Sequence, residues 1–161
     1  MQQLFSKCGM RCNRCPGYRE NAKTAGARQR TSDGWHKYLG FRLGPEKIYC
    51  DGCQVPDKEN PKRLLRGCTI RKCAIINGVE TCAHCSKYPC EDVKVLGSVN
   101  RETVETRVGS KMLEEDYLTF IEPYENLKHL TEIRSSLGSK DILEARVSSA
   151  EPRVEGFPGN L

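Results

Sequence analysis

The residues of this sequence best equipped to do chemistry are its ten cysteines, which fall in four clusters. These are Cys8-x3-Cys12-x2-Cys15, Cys50-Asp51-Gly52-Cys53, Cys68-x4-Cys73 and Cys82-x2-Cys85-x4-Cys90. Two residues between thiolates let one tight turn present both sulfurs to a single ion, about 2.3 Å from Zn²⁺. Gly52 suits such a turn in the second cluster, and Gly9 in the first. A tetrahedral Cys₄ site forms where two such clusters meet. The spacing therefore predicts that Cys8, Cys12, Cys15, Cys50, Cys53, Cys68, Cys73, Cys82, Cys85 and Cys90 are metal ligands.

Other uses of the same residues make different demands. Disulfides require an oxidising compartment. The opening Met1-Gln2-Gln3-Leu4-Phe5-Ser6-Lys7 has no apolar stretch of a secretory signal, so a cytoplasmic protein with reduced thiols is expected. A thioredoxin-like redox pair wants a βαβ context, which the pattern lacks. All-thiolate ligation suits zinc or an iron–sulfur cluster. Zinc in two sites is the expected cofactor. The iron–sulfur alternative rests on Cys8-x3-Cys12-x2-Cys15, the spacing that radical S-adenosylmethionine enzymes use for a 4Fe–4S cluster, but the repeated strand–helix units of those enzymes are missing.

Ten ligands do not divide into fours. Two Cys₄ sites leave two sulfurs over, and three sites would recruit two of His36, His84 and His129. His84 lies between Cys82 and Cys85, as spacer or ligand; His36 follows Trp35, as a packing or surface residue or as a ligand. Sequential pairing joins Cys50 and Cys53 to Cys68 and Cys73, near zinc-ribbon spacing, and leaves the second site to four of Cys8, Cys12, Cys15, Cys82, Cys85 and Cys90. A crossed pairing is equally consistent.

The elements that must position these sulfurs differ across Cys90. Residues 1–90 hold all ten cysteines but only 13 of the 33 Leu, Ile, Val and Phe; residues 91–161 hold the other 20. The first part is too poor in apolar side chains to offset chain entropy by burial alone. A structural zinc site can supply on the order of 10–16 kcal/mol, so metal is expected to determine its folding. The first part carries 17 Lys and Arg against 7 Asp and Glu, the second 9 against 14. Arg11, Arg14, Arg71 and Lys72 would neutralise the doubly negative Zn–Cys₄ centres beside them. Alternatively Arg19, Lys23, Arg28, Arg30, Lys37 and Arg42, with Tyr18, Trp35 and Tyr38, would bind nucleic acid, the aromatics stacking on bases; a solvated charged face gives the same pattern. No apolar run is long enough to span a membrane.

Short helices are expected at 34–40, capped by Ser32 or Asp33, at 69–76, closed by Gly78, and at 91–96. A clearer helix starts near Lys111, with Leu113, Tyr117, Phe120 and Ile121 on one face, until Pro123 interrupts it. Tyr124, Leu127, Leu130, Ile133 and Leu137 make a second stripe closed by Gly138, and Ser139 caps a last turn through Ile142 and Leu143. No stretch alternates like a strand, although short hairpins are expected around the CxxC pairs. The tail from Ser148 reads as loose.

Together, Cys8-Gly9-x2-Cys12-x2-Cys15-Pro16, Cys50-Asp51-Gly52-Cys53, Cys68-x-Ile70-Arg71-x-Cys73-Ala74 and Gly78-x3-Cys82-Ala83-x-Cys85-x2-Tyr88-Pro89-Cys90 resemble a family. It is the prokaryotic cysteine-rich family catalogued as domain of unknown function three-seven-nine-five. The match spans about residues 8–96. The resemblance implies zinc binding and no particular reaction. The run from Glu114 to Glu125 is similar to the helical extension of some members. Many members carry a further cysteine where this chain has Leu65.

The expected molecule is thus a small metal-stapled protein, mostly irregular and α, with a C-terminal helical extension. Residues 1–96 form the metal-binding module, 97–147 the extension packed on it or on a protein partner, and 148–161 a flexible tail. Closed Cys₄ sites leave no open position for substrate, and no Ser/His/Asp set, P-loop or dinucleotide fingerprint is present. A binding or scaffold role is expected rather than catalysis; an open three-ligand site of Cys82, Cys85 and Cys90 is the catalytic alternative.

Overall fold

The computed structural model of the chain describes residues 3–142. Six α-helices follow one another: α1 Ala25–Leu39, α2 Thr69–Ile76, α3 Glu91–Lys94, α4 Arg101–Val108, α5 Glu114–Phe120 and α6 Asn126–Ser136. Single 3₁₀ turns and irregular chain join them. The described residues contain no strand. Isolated bridges, Phe5 with Arg11 and Tyr18 with Cys50, stand where hairpins were expected. The turns of the first and fourth clusters are 3₁₀, at Cys12–Arg14 and Cys82–His84.

Helix α1 is the largest departure from expectation. It begins nine residues before Gly34, at Ala25 rather than after Ser32 or Asp33. The Thr24 side chain accepts from the Ala27 N–H at 3.0 Å and so caps it. The expected caps are used otherwise: the Ser32 hydroxyl donates to the Leu43 carbonyl at 2.6 Å, and Asp33 pairs with Arg42. Gly40, at φ 80°, ends the helix in the left-handed conformation. Helix α2 has the expected bounds, whereas α3 stops at Lys94 and passes into a 3₁₀ turn at Val95–Ser98. Helix α4 was not expected. Its sequence shows little apolar periodicity, and Asn100 starts it with a capping box to Thr103.

Helix α5 starts at Glu114, after Leu113, which is 73% exposed and lies off the buried stripe. Phe120 and Ile121 are buried as expected. Pro123 stands within a 3₁₀ turn between α5 and α6, and Leu130 of α6 is fully buried with Leu127 and Ile133 packed around it. A final 3₁₀ turn spans Ser139–Asp141. Leu143 and the expected loose tail lie outside the described residues.

One core draws on both parts of the chain: Ala22, Trp35, Tyr38 and Ile48 pack with Val104, Met112, Phe120 and Ile121. Where α1 meets α5, a Cβ on Gly34 would come within 2.1 Å of the Phe120 ring, so only glycine permits this approach. Tyr38 and Phe120 stack at 5.6 Å, and the Tyr38 hydroxyl donates to Asp116 at 2.5 Å. The cysteine-poor helices thereby supply the apolar partners that the front of the chain lacks.

Candidate metal centre

Backbone contacts gather the four cysteine clusters. The Phe5–Arg11 bridge closes a loop around Cys8, with Gly9 at φ 88° pressed against α6. A Cβ there would meet Leu130 Cγ at 2.6 Å and the Asn126 carbonyl at 2.7 Å. The Tyr18–Cys50 bridge and the Arg19 N–H on the Cys50 carbonyl (2.9 Å) bring the second cluster beside the first. The Cys82 N–H donates to the Lys7 carbonyl at 2.8 Å, next to Cys8. The Gln54 amide donates to the carbonyls of Phe5 (3.0 Å) and Glu80 (3.1 Å), and Arg71 Nε donates to the Cys53 carbonyl at 3.1 Å, tying α2 to the second cluster.

No disulfide joins any of the ten cysteines, and the sulfurs that would oppose one another's ionisation are neighbours. Burial, then Cys53, Cys15 and Cys50, push the Cys12 thiol far above its ordinary range. Cys53 is pushed up to about 12 by burial, then by Cys8, Cys50 and Cys68. Cys82 is pushed up to about 12 by burial, then by Cys8, Cys90, Cys73 and Cys85. Cys73 is raised by burial, then by Cys85 and Cys90. The neighbours run in a chain: Cys12 faces Cys53, Cys15 and Cys50, Cys53 and Cys82 each face Cys8 before any other sulfur, and Cys82 and Cys73 both face Cys85 and Cys90. The Tyr18–Cys50 bridge sets the second cluster beside the first, while Cys68 of the third cluster also lies beside Cys53. Among the described residues, no three His, Cys, Asp or Glu side chains are set so as to hold one ion; the thiols are neighbours rather than a closed tetrahedron.

Four sulfurs have hydrogen-bond donors, one of them Cys73, whose Sγ accepts from Asn77 Nδ2 at 3.5 Å. The Gly17 N–H points at Cys15 Sγ, and Tyr124 Oη lies 3.3 Å from it. Asn126 Nδ2 donates to Cys8 Sγ at 3.2 Å, with the Ser6 hydroxyl at the same distance, and the Cys53 N–H points at Cys12 Sγ. Such donors match a charged sulfur better than a neutral thiol, which accepts weakly. Cysteine sulfurs that lose their protons on binding are the donors that zinc or an iron–sulfur cluster takes. Sequence reasoning missed Tyr124, Asn126 and Ser6 as neighbours of sulfur. Tyr124 was legible only as one member of an apolar stripe, and no local pattern marks the other two.

The histidines are occupied elsewhere. His84 Nδ1 accepts from the Thr81 N–H at 3.3 Å, which makes it a turn cap. His36 is exposed on α1. His129 is buried, with Nδ1 2.9 Å from the Gly9 carbonyl and Nε2 3.5 Å from Glu122. Glu122 also pairs with Arg11, joining the first cluster to the segment before α6.

The nucleic-acid reading loses its aromatics. Tyr18, Trp35 and Tyr38 are buried and present no face to a base. Several of its cations already have acids beside them: Arg19 with Glu20 and Asp51, Lys23 with Glu20, Arg30 with Glu115, and Arg42 with Asp33. Arg28 donates to the carbonyls of Ala22 and Lys23. Among the expected neutralising residues, Arg71, together with Arg63, clamps Asp57 and the loop after Cys53. Among the described residues, no helix is long and apolar enough to cross a membrane.

Residues 4–95 match the model of a family described as "Protein of unknown function (DUF3795)". The chain belongs to this family. The match takes in all ten cysteines together with α1, α2 and α3, and ends before α4. In this DUF3795 protein the residues that contact sulfur from outside the match, Tyr124 and Asn126, therefore come from the part beyond it. No curated protein and no solved structure matches the chain.

Proposed function

We propose that this DUF3795 protein is a zinc-binding module with a scaffold or binding role. Cys12, Cys15, Cys50 and Cys53 would hold one ion, and Cys73, Cys82, Cys85 and Cys90 a second. The observation that carries this reading is the convergence of the four cysteine clusters, with Cys12 facing Cys15, Cys50 and Cys53, with Cys82 facing Cys73, Cys85 and Cys90 as well as Cys8, and with hydrogen-bond donors on the sulfurs of Cys12 and Cys15. Zinc would supply a cross-link between distant turns. With four thiolates each, both sites are closed, which favours a structural role over catalysis. Free thiols suit a reducing compartment, and the reading places the protein in the cytoplasm.

Elemental analysis of protein purified anaerobically under reducing conditions tests this. About two zinc ions per colourless chain are expected, with Cys12→Ser losing one and Cys68→Ser losing none. A chain without bound metal overturns the proposal. A brown chain with iron and acid-labile sulfide replaces zinc by a cluster.

A further inference from the structure

The segment from Glu122 to His129 lies outside the family match yet meets the first cysteine cluster four times. Glu122 pairs with Arg11, Tyr124 reaches Cys15, Asn126 reaches Cys8, and His129 reaches the Gly9 carbonyl. Glu122, Asn126 and His129 are buried, and so is Cys15. The contacts are directional. Trp35 Nε1–H donates to Tyr124 Oη at 2.8 Å and occupies a lone pair of that oxygen. Cys15 Sγ lies 3.3 Å from the same oxygen, within reach of its phenolic proton. The Asn126 side-chain amide donates to both the carbonyl (3.0 Å) and the sulfur (3.2 Å) of Cys8, fixing its NH₂ toward that residue.

We infer that Tyr124 is a positioning residue for the first site: the C-terminal helical part donates a hydrogen bond from Tyr124 to the sulfur of Cys15, while Asn126 holds the neighbouring Cys8 loop in place, and so sets how tightly that site holds its ion. The inference rests on the metal reading of the preceding section. A donor to a thiolate withdraws negative charge from sulfur, steadies its orientation and disfavours its protonation by an incoming competitor. Loss of a hydrogen-bond partner of this kind at a metal ligand lowers metal affinity by roughly 10–100-fold. Retention of the ion thereby depends on the docking of a segment that contributes no cysteine. Undocking of the 122–129 strap would loosen the first site and leave the second, around Cys82 and Cys85, unaffected.

The test uses the full chain loaded with zinc, and separately with Co²⁺ as a spectroscopic probe. Tyr124→Phe removes only the hydroxyl, and Asn126→Leu removes the amide donor. Tyr117→Phe, which removes a hydroxyl that donates to Glu125 at 3.0 Å, is the control. Zinc transfer to a colorimetric chelator should show one of two ions released about ten-fold or more faster in Tyr124→Phe, with the second unchanged. The sulfur-to-cobalt charge-transfer band should shift in Tyr124→Phe and not in Tyr117→Phe, a change that a merely structural role for the hydroxyl would not produce. Wild-type release and spectra in Tyr124→Phe, in a protein that binds two ions, overturn this inference and leave the metal reading standing, whatever Asn126→Leu does. A wild-type chain that binds no metal overturns both.

Discussion

Tyr124 Oη stands between an indole N–H and a buried sulfur, and each neighbour decides the state of the others. Burial, followed by Cys15, holds the Tyr124 hydroxyl protonated well above the ordinary tyrosine range, so it keeps a proton available to Cys15. A different residue governs acid sensitivity. Glu105 accepts from Lys111 Nζ (2.7 Å), the Met112 N–H (3.1 Å) and Arg101 Nε (3.2 Å). The Lys111 and Met112 donors lead in pulling its pKa from 4.5 to about 2. A depressed carboxyl pKa contributes stability that is complete above 4.5 and is lost as the pH falls toward 2. The melting-temperature gap between wild type and Glu105→Gln should therefore be widest near neutral pH and narrow below pH 4.5. A gap that stays constant to the lowest pH at which both variants fold contradicts this. Gly9 makes a second residue-scale case: its left-handed φ and the nearness of Leu130 and the Asn126 carbonyl both oppose a side chain. Gly9→Ala should lower the melting temperature and weaken the contact of the first cluster with α6, read as faster amide exchange at Gly9 and Met10; an unchanged melting temperature contradicts this.

At the scale of elements, the crossing of α1 and α5 sets two effects against each other. Alanine at position 34 would gain about 1 kcal/mol of helix propensity over glycine. Its Cβ would also drive into the Phe120 ring, and overpacking of this kind costs about 1–3 kcal/mol. The ring is held between Gly34 and Tyr38 and cannot swing away cheaply, so the clash wins. Gly34→Ala should destabilise the protein by denaturant unfolding, and Gly34→Ala with Phe120→Leu should recover part of the loss; a stabilised single variant contradicts this packing. The same crossing explains which elements were legible in the sequence. Helices α2 and α6 carry apolar spacing and glycines just beyond their ends, and their spans follow from those signals. The first nine residues of α1 and all of α4 bury few apolar side chains, so they have no periodicity to read; caps at Thr24 and Asn100 start them. Ser32 looked like a cap because its type suits one, but tertiary packing spends its hydroxyl on Leu43. Cysteine spacing identified the candidate ligands. It could not choose their grouping, because which clusters lie side by side depends on long-range contacts such as the bridge between Tyr18 and Cys50.

For the whole molecule, charge and hydrophobicity divide the chain at the same place, and the structure joins what they divide. Trp35, Tyr38 and Ile48 from the basic, cysteine-rich part share one core with Phe120, Ile121 and Met112 from the acidic helical part. The apolar stripe of α5 is largely spent on this core, with Leu113 and Leu118 left outward, and that of α6 on a second cluster with Ala83 and Val93. Burial thus supplies more order to the front part than its own composition promised. The long irregular stretch between α1 and α2 contributes little to that core beyond Ile48, Leu43 and Leu64, and it is there that cross-linking by an ion would matter most. The most direct measurement is near-ultraviolet circular dichroism of the reduced, full-length protein before and after stripping with a zinc chelator, with metal counted in both samples. The account predicts about two zinc ions at the start, loss of the tertiary signal as they leave, and its return when zinc is restored. A reduced, metal-free chain that keeps the same signal and the same thermal transition would contradict it.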